Sequence, residues 1–489
     1  MKLSGKLSTI KIENLQEREF IMKTFFEEAE EQNKEKVAQD PWRLHYHIMP
    51  LTGWLNDPNG LCQINGVYHI FYQYSPENPK GGKKCWGHIT TKDWVSYKRE
   101  PIALYPDSPL DKDGAYSGSA FTYKDGKTYF FYTGNIKHPG NFDYINEGRG
   151  HFVNVFTSED GYTFEPKYNV LMNEDYPNNL SCHVRDPKIF FEGHHYYMVL
   201  GARTRDGEGC VIIYRSRNVT NWRYYKRLKT DKKFGYMWEC PDLFELDGQK
   251  VLITCPQGMP QRKYTYQNVH QNGYFILKGK MSDNQSLLAF EELDFGFDFY
   301  APQTFEDDKK RRIMISWMSV PDAEYTNPTV ERGWQHCLSI PRELKLVKKK
   351  LIQYPIEETK NLRMDKKSFE LKSHEEKDLE TQVFEAQITP EENEFELWLR
   401  KDVHIKYSRK VFSLELGESG YGRTIRNCKI PEIHKMAIFS DTSSLEIFLN
   451  EGEKVLSTRL FDDASDTMIK ADSSMYVDFF PLKAFHVED

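Results

Sequence analysis

Five times between residues 65 and 318 the chain sets a turn pair directly before an aromatic or aliphatic run, and this repetition restricts the fold more than any other feature. The copies are NGVYHIFYQY from Asn65, DGKTYFFYTG from Asp125, EGHHYYMVLGA from Glu192, DGQKVLITCPQG from Asp247 and DDKKRRIMISWM from Asp307, spaced by 60, 67, 55 and 60 residues. Turn residues followed by β-branched and aromatic side chains read as hairpins, and a repeat of this length with several strands fits one propeller blade with extended loops. Five copies predict a five-bladed β-propeller over residues 41–350. Asx-Gly turns occur in any β protein, and the regular spacing is what weighs against that simpler explanation.

Both flanks have a different texture. Residues 13–38 are rich in Glu, Lys and Ala with apolar side chains at Phe20, Ile21, Phe25 and Phe26, which predicts an amphipathic helix ending before Asp40-Pro41, within an N-terminal extension of residues 1–40. After about residue 350 the repeat is lost and KKKLIQYPIEETKNLRMDKK reads as a charged connector. The short alternating runs QVFEAQIT, FELWLR, KVFSLEL, MAIFSD, SLEIFLN and SMYVDFF then predict a β-sandwich over 351–489. The expected class is all-β, a propeller followed by a sandwich with one short N-terminal helix.

Charge and cysteine content exclude several functions. Lys and Arg number 66 against 73 Asp and Glu, a net −7 without a concentrated basic stripe, so nucleic acid and anionic membrane are poor partners. The N-terminal residues hold no signal-peptide core and no stretch approaches the roughly 18 apolar residues of a membrane span, which makes the cytoplasm the expected location. The eight cysteines are scattered, with no C-x-x-C pair and no zinc-finger spacing. They read as reduced core thiols, and neither a metal nor a cofactor is expected. Oligomeric state is not set by the sequence.

A propeller brings equivalent positions of its inner strands to one channel, so acids at matching offsets before the turns are the ones to inspect. Asp57 lies 8 residues before Asn65, Asp186 lies 6 before Glu192 and Glu239 lies 8 before Asp247. Each also has an ordinary explanation. Asp57 sits in Asp-Pro-Asn-Gly, strong turn chemistry, and Asp186 between Arg185 and Pro187 fits a plain ion pair. Glu239, between Trp238 and Cys240, is expected to be buried with a raised proton affinity, the condition a general acid requires. Two carboxyl groups flanking a bond, one ionised and one protonated, are the working parts of glycoside hydrolysis. Trp54, Trp86, Trp238 and Trp334 could offer flat faces to sugar rings or simply fill the core.

WLNDPNG (54–60), FYQYSP (71–76), WGH (86–88), YSGSA (116–120), RDPK (185–188), WECPDLF (238–244), GFDFYAPQTF (296–305) and CLSIPREL (337–344) together resemble the ordered motifs of glycoside hydrolase family 32, the β-fructofuranosidases. The likeness covers residues 40–489 and is greatest to bacterial intracellular members acting on phosphorylated sucrose. It implies a five-bladed propeller with a C-terminal sandwich, and a retaining hydrolase that releases β-fructofuranosyl units from sucrose, sucrose 6-phosphate or short fructo-oligosaccharides through a covalent intermediate. It further implies Asp57 as nucleophile, Glu239 as acid and base, and Asp186 as transition-state stabiliser. Asn56, Gln73, Trp86, Tyr116, Ser117 and Arg185, with Trp54 and Trp334, would hold the fructose. Leu55 stands where relatives commonly carry Met, a volume-conserving change. Fructosyl transfer, an inverting five-bladed glycosidase and a carbohydrate-binding propeller are the alternatives. A phosphorylated substrate needs a cation beyond the fructose pocket, for which Lys83, Lys84 and Arg262 are open candidates.

Overall fold

The structure, a computed structural model, describes residues 3–283 and 285–488, with helix side chains described from residue 17. From Gly53 to Pro355 the chain builds five successive, mainly antiparallel sheets, and from Lys367 it builds two more of six strands each. The first strands of the five sheets are Gly53–Ile64, Ala115–Thr122, Leu180–Glu192, Met237–Leu246 and Tyr300–Glu306. Each lies beside the first strand of the next sheet, and the fifth lies beside the first.

All five turn pairs read from the sequence join the first strand of a sheet to its second. Asn65-Gly66 (φ 52° and 79°) and Asp247-Gly248 (φ 50° and 74°) both have the left-handed backbone that a two-residue hairpin needs to match strand twist. Between the sheets the aromatic runs interlock. Phe71, Trp86, Phe130, Tyr132 and Phe156 fill the space between the first and second sheets, all essentially without solvent contact. Each such burial contributes about 1.5–3 kcal/mol, and truncating Phe71 to Ala would cost about 3–5 kcal/mol because the hole could not close.

Every first strand carries a β-bulge near its start. The register slips by one residue between Leu55 and Pro58, Ala115 and Gly118, Arg185 and Lys188, Glu239 and Asp242, and Tyr300 and Gln303. A bulge sets two residues against one and re-aims side chains that strict alternation would send to opposite faces. Asp186 (φ 63°), Cys240 (φ 48°) and Ala301 (φ 51°) take left-handed backbone within these bulges, a cost side-chain-bearing residues accept where surroundings fix them. The three acids therefore do not share one offset: Asp57 and Asp186 lie inside their bulges and Glu239 on the leading edge of its own. Counting back from the turns misses this because a bulge adds a residue to one strand only.

The connector read from the sequence is partly strand, since Lys350–Pro355 completes the fifth sheet before a short 3-10 turn at Glu357–Leu362. The two six-stranded sheets enclose one core that includes Leu397, Ile405, Leu414, Ile447 and Val477. At the chain's end, His486–Glu488 pairs parallel with Ser96–Lys98 of the first sheet, returning the chain from sandwich to sheets. Charge is buried at this seam. Arg342 bonds Asp294 at 3.2 Å and also Glu446, and His47 meets Asp441 at 2.8 Å and Glu446 at 3.0 Å. Arg423 grips Asp298 at 2.7 and 2.9 Å.

The N-terminal helix spans Leu3–Ala38, longer than expected, and it is not amphipathic in the expected way. Phe26 is fully buried against Tyr105, whereas Phe20, Ile21 and Phe25 are 69%, 54% and 46% exposed. Among the described side chains the helix docks through Met22, Phe26, Val37 and a Tyr74 hydroxyl donated to Glu30 at 2.6 Å.

Candidate active site

A cavity of about 360 Å³ opens where the bulged ends of the first strands meet. Trp54, Asn56, Asp57, Gln73, Tyr116, Ser117, Arg185, Asp186 and Glu239 all line it, so nine of the residues singled out in the sequence come together from positions up to 185 residues apart. Lys84, one of the cations held open, lines it too, as do Arg149, His151, His183, Tyr300 and Trp317. Tyr300 and Trp317 had a signal: both belong to the fifth repeat, in YAPQT and IMISWM. The two histidines had none.

Around Asp57 the hydrogen bonds run in one direction. Trp54 Nε1 donates to Asn56 Oδ1 at 2.7 Å, which turns the Asn56 amide nitrogen toward Asp57 Oδ1 (3.0 Å) and Gln73 Oε1 (2.8 Å). Gln73 Nε2 donates to the Ser117 hydroxyl at 2.6 Å, and that hydroxyl donates to Asp57 Oδ2 at 2.5 Å. Each amide is oriented by its neighbour, so the donors converge on the carboxylate and leave it a single position.

The other two acids are locked differently. Arg185 places Nε at 3.0 Å and Nη2 at 2.5 Å on Glu239 Oε1, while its Nη1 meets His183 Nδ1 at 2.7 Å. Tyr300 OH and Gln257 Nε2 each donate to Glu239 Oε2 at 2.6 Å. Asp186 Oδ2 accepts the backbone N–H of Cys240 at 2.9 Å, and its own N–H donates to Thr133 Oγ1 at 2.9 Å. The bulge at Cys240 thus hands its free amide to the neighbouring sheet's acid.

These contacts set the proton affinities, and they reverse the expectation for Glu239. Burial pushes its carboxyl up, but the Arg185 charge with hydrogen bonds from Tyr300 and Arg185 outweighs burial and holds it below the usual glutamate range. Trp238 does not face it, being buried in the core against Phe275 with Nε1 on Phe234 O. Asp57 is raised by burial and by the charge of Glu239, against the hydrogen bonds of Ser117 and Asn56. Asp186 is pushed up to about 7, by burial first and then by Glu239 and Asp57, with Arg185 opposing. A proton is therefore favoured on the aspartates over Glu239, and the titrations of Asp186 and Glu239 are linked.

Two tryptophans are corrected. Trp86 is wholly buried between the first and second sheets, one strand outward from Gln73, with Nε1 on Tyr116 O at 3.1 Å. Trp334 is wholly buried beside Val37 and Leu44, with Nε1 on Asp40 Oδ2 at 2.6 Å and Arg43 over its ring. Neither lines the cavity, and Trp317 supplies an aromatic wall beside Trp54 in their place. Of the cations held open, Lys84 reaches the wall, its affinity lowered to about 8 by burial, whereas Lys83 and Arg262 do not. All eight cysteines are free thiols. Among the described residues no group of three or more His, Cys, Asp or Glu is placed to hold a metal ion.

Comparison with known proteins places this arrangement. Residues 47–355 match the glycosyl hydrolases family 32 N-terminal domain, and residues 349–480 match the family's C-terminal domain. The chain is 42% identical over 457 residues to the sucrose-6-phosphate hydrolase of Bacillus subtilis (strain 168), covering 89% of this chain and 92% of that one. The sucrose-6-phosphate hydrolase of Lactobacillus gasseri has a similar structure, with TM-score 0.86 at 29% identity over 94% of this chain and 96% of that chain. A variant of a Bombyx mori family 32 β-fructofuranosidase, solved with sucrose, gives TM-score 0.84 at 28% identity over 96% and 99%.

Proposed function

The chain belongs to glycosyl hydrolase family 32, and from that premise we propose that its cavity cleaves the fructosyl bond of sucrose, sucrose 6-phosphate or short fructo-oligosaccharides with retention of configuration. It is a glycoside hydrolase of the β-fructofuranosidase class. In this reading the five sheets are the blades of a closed propeller, a view supported by the ring of neighbouring first strands, and the sandwich and helix are appended to it.

Asp57 is the nucleophile. Its single position, fixed by Ser117 and Asn56, meets the requirement for attack on an anomeric carbon held in the same cavity. Asp57 displaces the leaving oxygen while Glu239 gives that oxygen its proton; Glu239, now ionised, takes a proton from water, which releases fructose from Asp57. Asp186, tied to the Cys240 amide, faces the ring hydroxyls and opposes the positive charge that develops on the sugar. The first step needs Glu239 protonated and Asp57 ionised, so in this reading the sugar draws Arg185 from the acid and the proton shared among the coupled carboxyls passes to Glu239. Arg185 then serves the sugar as well as the acid. Trp54 and Trp317 flank the ring, and Asn56, Gln73, Tyr116 and Ser117 meet its hydroxyls.

The observation that carries this reading is the meeting of three carboxyls in one cavity with unlike partners: hydroxyl and amide donors on Asp57, a backbone amide on Asp186, a guanidinium on Glu239. Among the described residues no helix is long and apolar enough to cross a membrane, and a cytoplasmic site of action is part of the proposal. The test is to measure kcat/KM for sucrose, sucrose 6-phosphate and kestose on the purified protein. Hydrolysis of at least one is expected, and failure on all three would reject the reading.

A further inference from the structure

A second, polar cavity of about 330 Å³ adjoins the catalytic one, and Arg149 lines both. The loop at 138–148 forms part of its wall and is tied to the third sheet's first strand: Cys182 N–H donates to Ile145 O at 2.9 Å, and His183 Nε2 meets Tyr144 O at 3.1 Å. Besides the shared Arg149, neighbouring residues of one strand serve both spaces, Cys182 lining the second cavity and His183 the catalytic one.

The chemistry of this wall is that of an anion site. Arg149 spends Nη1 on Asn135 Oδ1 at 2.9 Å, and neither Nε nor Nη2 has a hydrogen-bond partner among the described residues. No carboxylate lies within ion-pair distance of it among the described residues, in contrast to Arg185, Arg342, Arg400 and Arg423. Two more buried polar atoms of the same cavity, Asn146 Oδ1 and Tyr176 OH, also have no partner, the condition a site leaves open when a ligand completes it. Asn173 and Ser181 add polar groups, exposed Arg205 adds a second guanidinium at the rim, and the sole carboxylate in the lining is exposed Glu147. Lys84, on the catalytic wall, is committed instead to the Trp54 face at 4.7 Å and to Ser75 Oγ at 3.1 Å.

We infer that this second cavity receives the phosphate of the leaving sugar, with Arg149 as its principal ligand, so that a phosphorylated disaccharide is the preferred substrate. The inference rests on the β-fructofuranosidase reading. A guanidinium fork matches two phosphate oxygens, and its position on the shared wall is where a leaving group would carry its anion out of the fructose pocket.

The experiment compares kcat/KM for sucrose 6-phosphate and for sucrose in the wild type, Arg149→Gln and Arg205→Gln. The wild type should favour the phosphorylated sugar, and Arg149→Gln should lower the ratio of the two constants by roughly 10- to 100-fold, the worth of a charge-assisted bond, with a smaller fall for Arg205→Gln. A ratio that Arg149→Gln leaves unchanged, or a wild type indifferent to the phosphate, overturns the inference while sucrose cleavage leaves the parent reading standing. Cleavage of neither sugar overturns the parent reading itself. Should Arg149→Gln not fold, inhibition of the wild type decides: glucose 6-phosphate must inhibit sucrose hydrolysis at a tenfold or more lower concentration than glucose, and equal inhibition overturns the inference.

Discussion

At the seam between sheets and sandwich, Arg342 lies between Asp294 and Glu446, and His47 between Glu446 and Asp441; in the cavity, Asp57 and Asp186 have no cation bonded to them among the described residues. Both places take carboxylates out of bulk water, wholly at the seam and at Asp186, partly at Asp57. At the seam Asp441 and Glu446 stay below their ordinary affinities despite burial, because His47 and Arg342 pair with them, although burial still raises Asp294 against the single Arg342 contact; in the cavity burial wins for Asp57 and Asp186. Paired buried charge holds two parts of a fold in one register, whereas unpaired buried charge costs stability and is kept where chemistry uses it.

The comparison breaks most visibly at Asp57. Asp57→Asn should reduce kcat for sucrose by at least about 10⁴-fold, as loss of a nucleophile does, with thermal stability unchanged or raised because an uncompensated charge leaves the interior. Loss of stability together with activity would make Asp57 a structural residue like those of the seam. The converse change is Arg342→Met, which leaves Asp294 and Glu446 without their guanidinium and should cost about 3–5 kcal/mol in urea unfolding with KM for sucrose unaltered. Unchanged unfolding would remove the seam's claim to hold the two parts together.

A third change sharpens the seam's dependence on pH. Burial lowers His47, but the hydrogen bonds its ring donates to Asp441 and Glu446 carry it above its ordinary value. Its contribution is then complete below about pH 6.5 and is lost as pH rises through the folded value; those of Asp441 and Glu446 are complete above about pH 4.5 and are lost as pH falls through their folded values. The melting temperature should fall on both sides of this window. His47→Gln should remove the alkaline fall and cost about 1–3 kcal/mol inside the window. A persisting alkaline fall would assign it to another group.

The smallest effect concerns Glu239. Tyr300→Phe removes one donor to the ionised carboxylate, so its proton affinity rises and the alkaline limb of kcat/KM should move up by about one pH unit. An unmoved limb, measured against sucrose across the pH range, would separate Tyr300 from the acid.

Much of the fold was legible because hairpins are local. Asn65-Gly66 and Asp247-Gly248 declare their turns in two residues, and the strands after them follow from alternation. The bulges were not legible, since one extra residue changes which face a side chain takes without altering composition or period. Trp86 and Trp334 show the same limit, because tryptophan in a wall and in a core look alike in sequence. The Arg185 pairing with Glu239 joins residues 54 apart and fixes the sign of the acid's shift, which a reading of Trp238-Glu239-Cys240 alone gets backwards. At the helix, Phe25 and Phe26 are adjacent, so one is buried and the other faces out.

The central claim is that Asp57 takes the fructosyl group and Glu239 manages the proton. Sucrose cleaved in aqueous methanol, followed by NMR, tests it most directly: methanol captures the same intermediate that water does. Methyl β-D-fructofuranoside is the product this account requires, and the α-anomer as first product would contradict it.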